Sequence, residues 1–229
     1  MTKRAILAVF CAVLLAGFLA ADKATTVDQS KCPVGKIKLT GEAFFNVAAS
    51  GTTSMLLSAH AWKGTATAPG GVMTLNRERA TADGSWYRLS VRAAIPGAGD
   101  MVTLTFQPPW TGLPLYTGSL TAPSPLLLVA PANNSHVRVA GAGNLTVKWS
   151  GGTRPYIVAI WQGMDGPRVY NCVGILGASV DIPLATFAAG KRYFMTIYDA
   201  KRKFAWDRDV DPASDLGLDQ RISSFFYAD

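Results

Sequence analysis

Apolar and polar residues alternate with a spacing of two through most of this 229-residue chain. In segment 101–106, Val102, Leu104 and Phe106 share one face of an extended chain, and the two threonines between them share the other. Such alternation is the pattern of a β-strand with one buried face, and helical periodicity is nearly absent from the sequence. The alternation therefore predicts an all-β protein.

Turn-forming residues separate the alternating segments. They cluster at 69–71, 82–84 and 96–100, and short strands at this spacing are typical of a sandwich or a barrel. In the first half, strands are expected over 36–39, 54–62, 72–76, 86–93 and 101–106. In the second half, they are expected over 126–130, 137–140, 144–149, 156–161, 168–173, 179–182 and 192–198. We therefore expect two β-sandwich domains.

A proline-punctuated stretch, 113–125, separates the two sets of strands. Because proline cannot donate to a strand ladder, we place the domain boundary near 122–125. The expected leader is 1–21, and a first β-sandwich of no recognised family follows over 22–124. The second β-sandwich, with a C-terminal extension, is expected over 125–229. The tail 204–229 is acidic early and aromatic late, and its pattern fits either an edge strand or a short helix.

The apolar run 6–21 follows Lys3 and Arg4 and precedes Asp22, which is the pattern of a secretory signal peptide. A helix of this length spans about 24 Å, short of the roughly 30 Å hydrocarbon core of a bilayer. We expect its removal and an extracellular or secretory-pathway location, and association with a cell wall or cell surface is compatible with that location. Leu19 is large for the minus-three position of a cleavage site, so retention as an anchor or a filament helix stays an alternative. Only in that case would a membrane be a partner.

After removal of the leader, two cysteines remain, Cys32 and Cys172. In an oxidising compartment two cysteines tend to pair, so we predict a disulfide between them. The alternative is a pair of free thiols, one buried and one mobile.

The net charge of the chain is +7, which favours anionic partners such as acidic glycans or lipid head groups. No run of basic residues is interleaved with aromatic residues, as a nucleic-acid-binding surface would require. The expected secretion also argues against nucleic acid as a partner.

Segment 144–161 reads NLTVKWSGGTRPYIVAIW, in which Leu145, Val147 and Trp149 share one face. Later in the chain, Tyr193 begins a second apolar alternation. These residues resemble a fibronectin type III or related immunoglobulin-like domain, whose second strand often ends in a buried tryptophan and whose sixth carries Tyr-x-hydrophobic-x-hydrophobic. Seven strands are the number expected of such a sandwich.

Segments 149–156 and 188–190 are also similar to β-sandwich modules of secreted and wall-associated fungal proteins. The resemblance covers about 125–203. It implies a fold rather than a function, because such folds carry many unrelated activities.

The two histidines, His60 and His136, are expected to be ordinary strand or turn residues. The sequence has no G-x-S-x-G nucleophile elbow, no H-E-x-x-H zinc spacing and no glycine-rich phosphate loop. We therefore expect a protein without enzymatic activity and without a cofactor, calcium being the one exception considered.

The calcium hypothesis rests on four aspartates: Asp207, Asp209, Asp211 and Asp215. Carboxylates at alternate positions can converge on a hard cation through a curved loop. Pro212, however, occupies the place where a helix-loop-helix calcium loop needs glycine, and Leu218 stands where such a loop has a bidentate glutamate. The alternative is a solvated acidic turn that balances nearby lysines and arginines.

Two tryptophans, Trp149 and Trp86, are expected in the core. The remaining four are candidate surface platforms for a sugar or a partner side chain: Trp62, Trp110, Trp161 and Trp206. Asn133 and Asn144 begin N-x-S/T triplets and are candidate glycosylation sites, with Asn133 favoured because it lies in a turn.

Together these features favour a non-enzymatic secreted or cell-surface protein that acts in adhesion, surface structure or extracellular assembly. Its partner is expected to be a protein or a glycan at the cell surface. A carbohydrate-binding module and a self-associating filament subunit are the alternatives.

Overall fold

A computed structural model describes residues 34–229, and the expected leader 1–21 and Cys32 lie outside this range. The first nine strands all precede the proline-rich boundary. They are β1 (Ile37–Val47), β2 (Thr53–Lys63), β3 (Ala66–Thr67), β4 (Val72–Leu75), β5 (Glu78–Arg79), β6 (Thr81–Asp83), β7 (Trp86–Arg92), β8 (Met101–Gln107) and β9 (Tyr116–Thr121).

Ten strands follow, with one turn of 3₁₀-helix at Leu184–Thr186. They are β10 (Leu127–Ala130), β11 (Ser135–Val137), β12 (Asn144–Ser150), β13 (Tyr156–Gln162), β14 (Arg168–Ile175), β15 (Ser179–Pro183), β16 (Lys191–Tyr198), β17 (Arg202–Lys203), β18 (Ala205–Trp206) and β19 (Gly217–Ala228). The expected all-β fold is confirmed, and each expected strand has a counterpart. No helix in residues 34–229 has the length and apolar character needed to traverse a bilayer.

The strands form three sheets. The longest has the order β14-β13-β16-β19-β1-β2-β7-β6, with β11 and β17 also paired to β19 and β3 paired to β2. The second sheet has the order β18-β9-β8-β4-β5, and the third has the order β10-β12-β15. The long sheet faces the second sheet over one hydrophobic core and the third sheet over another.

Strand β19 joins the two parts of the long sheet. Its first half is parallel to β1, from Glu42 opposite Gly217 to Val47 opposite Ile222. Its second half is antiparallel to β16, and its last residues also pair in parallel with β11. One continuous sheet therefore covers both cores.

The first core lies between β1, β2 and β7 on one side and β4, β8 and β9 on the other. Its largest fully buried side chains include Phe45, Tyr87, Phe106 and Trp110. The Tyr87 hydroxyl donates a hydrogen bond to the carbonyl of Ala68, which satisfies the one polar group of that ring. Burial raises the Tyr87 pKa to about 12, so the phenol stays neutral.

The second half is an immunoglobulin- or fibronectin III-like β-sandwich. Sheet β10-β12-β15 packs on β14-β13-β16-β19, which is the A-B-E against C′-C-F-G strand order of that fold. Trp149 on β12 is buried as expected, in edge contact with Tyr156 at 5.3 Å between ring centroids. The Tyr193 hydroxyl at the start of β16 accepts a hydrogen bond from the Ala188 amide at 2.7 Å, the tyrosine corner of such sandwiches.

The two cores meet at the proline-rich segment, where Ala122 packs in the first and Leu126 in the second. The segment 199–216 between β16 and β19, called the excursion below, does not pack on the second core. Its residues Phe204 and Leu216 pack in the first core. Strand β18, within the excursion, also pairs with β9. The division at 124/125 stays a prediction, and a division into folding units must account for this excursion.

Buried polar groups tie the junction together. The Asp199 carboxylate accepts hydrogen bonds from the amides of Gln220 at 2.5 Å and Thr153 at 3.0 Å. The Gln220 side chain in turn accepts one from the Leu126 amide at 2.7 Å. The end of β16, the start of β10 and the first half of β19 are therefore held in one arrangement.

Candidate binding surface

Alternate side chains of the long sheet point away from both cores onto a single outer face. Because strands in register place opposite residues side by side, the outward residues form rows across the sheet. Lys38 lies beside Trp62 in one row, and Thr40, His60 and Trp86 form the next. These two rows therefore bring together residues that are up to 48 positions apart in the chain.

The aromatic cluster of the first half consists of Trp62, His60 and Trp86. The rings of His60 and Trp62 are stacked, 5.0 Å apart and inclined by 17°, and the Trp86 ring contacts His60 at a tilt of 52°. The Lys38 ammonium lies 5.9 Å from the Trp62 ring, and the Arg88 guanidinium lies 5.5 Å from the Trp86 ring. Two indoles and two cations thus share one patch.

His60 contributes an aromatic surface rather than a charge. Burial lowers the pKa of His60, and the Arg88 charge lowers it further, against a hydrogen bond to Ser85 that raises it. The imidazole is therefore neutral at pH 7.

A shallow groove of about 720 Å³ begins beside the aromatic cluster. Phe44, Leu56 and Ser58 contribute outward side chains to its floor, and segment 81–83 lines one side. Arg88 lies opposite Ser58 in the row next to His60 and Trp86, so the cluster and the groove form one surface.

A charged network occupies the middle of the outer face. The Arg221 guanidinium contacts the carboxylates of Glu42 at 2.7 Å and Asp219 at 3.2 Å. The same guanidinium lies 3.6 Å from the Phe44 ring and 5.2 Å from the Tyr198 ring. Burial raises the pKa of Asp219, while Arg221 opposes that shift. Arg221 thus connects side chains from both parts of the sheet.

The second half of the face carries another aromatic cluster. Arg192 covers the Phe225 ring at 3.8 Å, and Phe194 lies between Phe225 and Trp161 at centroid distances of 5.2 and 5.8 Å. The ring of His136 stacks on Tyr227 at 5.0 Å. In this cluster, neighbouring groups already cover the aromatic faces of Phe225 and Tyr227.

Among residues 34–229, neither histidine is surrounded by the partners of a catalytic triad. His60 contacts Ser85 at 3.3 Å, but its remaining ring contacts are the two tryptophans. His136 pairs with Asp229 at 2.8 Å, with both side chains more than half exposed, so solvent screens the pair.

The structure corrects two expectations about tryptophans. Trp110 is only 1% exposed and packs in the first core, so its ring faces no solvent and cannot serve as a platform. Trp86, expected in the core, is 37% exposed, because side chains alternate along β7 and that of Trp86 points away from the core. Trp62 and Trp161 lie half-buried on the outer face, and Trp206 lies half-buried against Phe204.

The four aspartates of the calcium hypothesis have separate partners. Asp207 accepts the Thr117 amide at 2.8 Å, Asp209 pairs with Lys36, Asp211 accepts the Ala213 amide and Asp215 pairs with Lys201. Within residues 34–229, no three or more His, Cys, Asp or Glu side chains are grouped so that they could hold a metal ion. The structure therefore does not bring these carboxylates together.

Cys172 lies half-buried on β14, while its expected partner Cys32 is outside the described residues, so the disulfide stays a prediction. The Asn133 amide donates to the Ala49 carbonyl, and its oxygen accepts the Phe225 amide at 2.9 Å. A glycan on Asn133 would be attached to the nitrogen that contacts the Ala49 backbone. Asn144 is exposed at the start of β12 and is sterically the better candidate.

No family model matches this chain, and no curated protein matches it either. Among solved structures, an I-band fragment of titin aligns with 83% of this chain and 67% of its own length, at 10% identity and a TM-score of 0.28. A structure concerned with host cell surface retention of a 1.5-MDa bacterial ice-binding adhesin aligns with 83% of this chain and 65% of its own length, at 13% identity and a TM-score of 0.28.

Fibronectin(III)-like modules of Clostridium thermocellum CbhA align with 84% of this chain and 94% of their own length, at 12% identity and a TM-score of 0.24. This chain spans slightly less than two thirds of the adhesin structure. TM-scores this low define neither a family nor a function. The class of the second half, an immunoglobulin- or fibronectin III-like sandwich, follows from its own strand order and tyrosine corner.

Proposed function

We propose that this chain is a non-enzymatic protein of a cell surface or the extracellular space, acting in adhesion, surface structure or extracellular assembly. The outer face of the long sheet is its recognition surface. The observation that carries this proposal is the concentration of aromatic and basic side chains on one face of a sheet that is continuous over two cores.

The composition of the outer face is that of a binding surface. Tryptophan, tyrosine and arginine contribute most of the energy at protein interfaces, because they combine large contact areas with a polar or charged end. On this sheet they recur from Trp86 on β7 to Trp161 on β13. An outward sheet face with no binding role would usually be mainly polar.

Rigidity of the surface supports the same role. Strand β19 pairs with β1 and β16, and the Asp199–Gln220 hydrogen bonds fix the junction between the two cores. A preorganised surface loses less conformational entropy on binding, so each contact contributes more to affinity.

The test is retention of the labelled protein on the cells and extracellular material of the organism that produces it. We expect Trp62→Ala/Trp161→Ala to reduce retention at least fivefold, because both indoles lie on the outer face. Met101→Ala is the control, since Met101 is 61% exposed on a different sheet. Equal retention of wild type and the double variant would show that another surface is responsible.

A filament subunit is the second candidate, and exposed apolar residues at one sheet edge favour it. Strand β14 ends the long sheet, and Val173 on it and Leu176 after it are both about two-thirds exposed. Unpaired edges are sites of strand addition between copies. Concentration-dependent polymers in light scattering that are lost in Val173→Lys would favour this candidate.

A further inference from the structure

We infer that the groove and the adjoining Trp62–His60–Trp86 cluster bind a carboxylate-bearing sugar chain of the uronic acid type. The inference rests on the proposed function and names the ligand class of that recognition surface. It draws on three properties of the site: ring geometry, charge and the composition of the groove floor.

Ring geometry provides the first argument. Sugar rings present an apolar C–H face that packs against the flat face of an aromatic side chain. Trp86 is 37% exposed at the end of the groove, and its position is held by the contact with His60 and by pairing with β2. A fixed, exposed indole at the end of an open groove can stack on a sugar at little entropic cost.

Charge provides the second argument. Lys38 and Arg88 lie beside the two indoles, so a carboxylate on a stacked sugar would lie within reach of a cation. Two carboxylates of this face already have cationic neighbours: Glu42 contacts Arg221 at 2.7 Å, and Asp83 lies 3.8 Å from Arg88, whose charge it offsets in part. The complementarity to an anionic ligand therefore depends mainly on Lys38, which lies over the Trp62 ring.

The groove floor provides the third argument. Phe44 and Leu56 are apolar, whereas Ser58 and Ser90 carry hydroxyls in the neighbouring positions. A sugar chain has the same mixed character, with apolar ring faces and hydroxyl edges. From Trp62 to Leu56 the outward positions of β2 extend over about 20 Å, at roughly 3.4 Å per residue, which is enough for a short oligosaccharide.

The second aromatic cluster is a poorer candidate for the same ligand. Arg192 lies only 3.8 Å from the Phe225 ring, and His136 stacks on Tyr227, so these faces are already covered. In the first cluster the cations lie over the rings at the longer distances of 5.5 and 5.9 Å, so the indole faces are less closely covered.

The experiment is calorimetric titration of the protein with oligogalacturonate, with two matched ligands for comparison. The methyl ester of the same oligosaccharide keeps the sugar rings and removes the charge, and polyglutamate of equal charge lacks the rings. We expect oligogalacturonate to bind at least tenfold more tightly than either ligand, and its affinity to fall with salt.

Variants assign the binding to the groove. Trp86→Ala and Lys38→Gln are each expected to weaken oligogalacturonate binding at least fivefold. Lys148→Gln, an exposed lysine on the third sheet, is the matched control and is expected to leave affinity unchanged. Lys38→Gln removes only a surface charge, so it tests the site even if Trp86→Ala fails to fold.

Several results would overturn the inference: no binding of oligogalacturonate, equal binding of the ester or of polyglutamate, or an equal loss in Lys148→Gln. Tight polyglutamate binding would indicate an acidic protein as the partner. If retention on cells still depends on Trp62 and Trp161 while oligogalacturonate does not bind, the proposed function stands and only the ligand class is wrong.

Discussion

The Trp110 side chain fills the first core just after the Pro108-Pro109 pair that follows β8. Its indole Nε1 is buried and has no hydrogen-bond partner among the described residues. An unpaired buried donor costs about 1–3 kcal/mol, so at this position ring volume is favourable and the N–H group is unfavourable. Trp110 is therefore a packing residue with one unsatisfied polar atom.

Trp110→Ala is expected to lower the free energy of unfolding by about 3–5 kcal/mol, because it removes buried area and leaves a cavity. Trp110→Phe is expected to cost clearly less, since it keeps an aromatic ring and removes the unpaired N–H. Urea unfolding followed by fluorescence measures both values. A Trp110→Ala variant with unchanged stability but weakened ligand binding would contradict the buried assignment.

Asp199 is a second residue whose environment sets its behaviour. It is 4% exposed, and burial raises its pKa from 3.8 to about 6, although hydrogen bonds from Gln220 and Thr153 and the charge of Arg202 oppose the shift. Because the folded state binds the proton more tightly than the unfolded state, stability increases as pH falls from the folded pKa towards the unfolded one. Above pH 6 the ionised carboxylate costs stability.

We expect the free energy of unfolding to rise between pH 7 and pH 4, by at most about 3 kcal/mol from Asp199 at about 1.4 kcal/mol per pKa unit. Asp199→Asn removes the titration and is expected to flatten this dependence. Asp181→Asn, at an exposed site, is the control and is expected to keep it. Denaturant unfolding at pH 7, 6, 5 and 4 measures the slope, and a slope of opposite sign in wild type would refute the assignment.

At the scale of elements, the excursion between β16 and β19 has the most consequences. In chain order it belongs to the immunoglobulin-like half, yet Phe204 packs in the first core and β18 pairs with β9. Gly118 on β9 makes this contact possible, since a Cβ there would lie 2.9 Å from the Cβ of Phe204. The excursion therefore attaches the second half of the chain to the first core.

Phe204→Ala is expected to lower the stability of the first core by about 3–5 kcal/mol, because the ring is almost fully buried there. Hydrogen exchange should show the loss of protection at amides of β8 and β9, far from Phe204 in sequence. Phe194→Ala, on the half-exposed outer face, is the matched control with a smaller effect. Loss of protection confined to β16 and β19 in Phe204→Ala would refute the assignment.

The predicted bond between Cys32 and Cys172 would tie the segment before β1 to strand β14. Closing a loop of about 140 residues would add several kcal/mol in the chain-entropy model. Peptide mapping without reductant should recover the linked pair. Alkylation of both thiols in the unreduced protein would show instead that they are free.

At the scale of the whole molecule, β19 makes the two cores parts of one sheet. Its pairing changes from β1 to β16 within a single twelve-residue strand, and Val47 at the end of β1 packs against the second core. Neither core can lose β19 without affecting the other. Cooperative unfolding follows from this shared strand.

Calorimetry is expected to show a single unfolding transition, with the calorimetric enthalpy equal to the van't Hoff enthalpy. Removal of residues 217–229 should abolish the cooperative transition of both halves, because each loses a central strand. Two separate transitions in wild type, or a truncated chain whose first half still melts cooperatively, would show that the cores are independent.

The all-β class, most strands and the buried position of Trp149 could be predicted from the sequence, because alternation and turn residues are local properties. Two strands of six residues or more could not, and neither could five strands of two or three residues, β3, β5, β6, β17 and β18. β9 falls in the proline-punctuated stretch, and the tail pattern predicts either an edge strand or a short helix, whereas β19 lies inside the sheet between β16 and β1. Their partners, β8 and β18 for one and β1 and β16 for the other, make them strands.

The candidate site was visible in the sequence only in part. His60 and Trp62 stand two apart on one expected strand, so a shared face could be predicted, but Trp86 joins them only through the register of β7 on β2. Local alternation by itself determined most of the strands in this protein. Tertiary structure alone decided which tryptophans are buried and that one sheet spans both cores, because strand pairing and face assignment depend on contacts between residues distant in the chain.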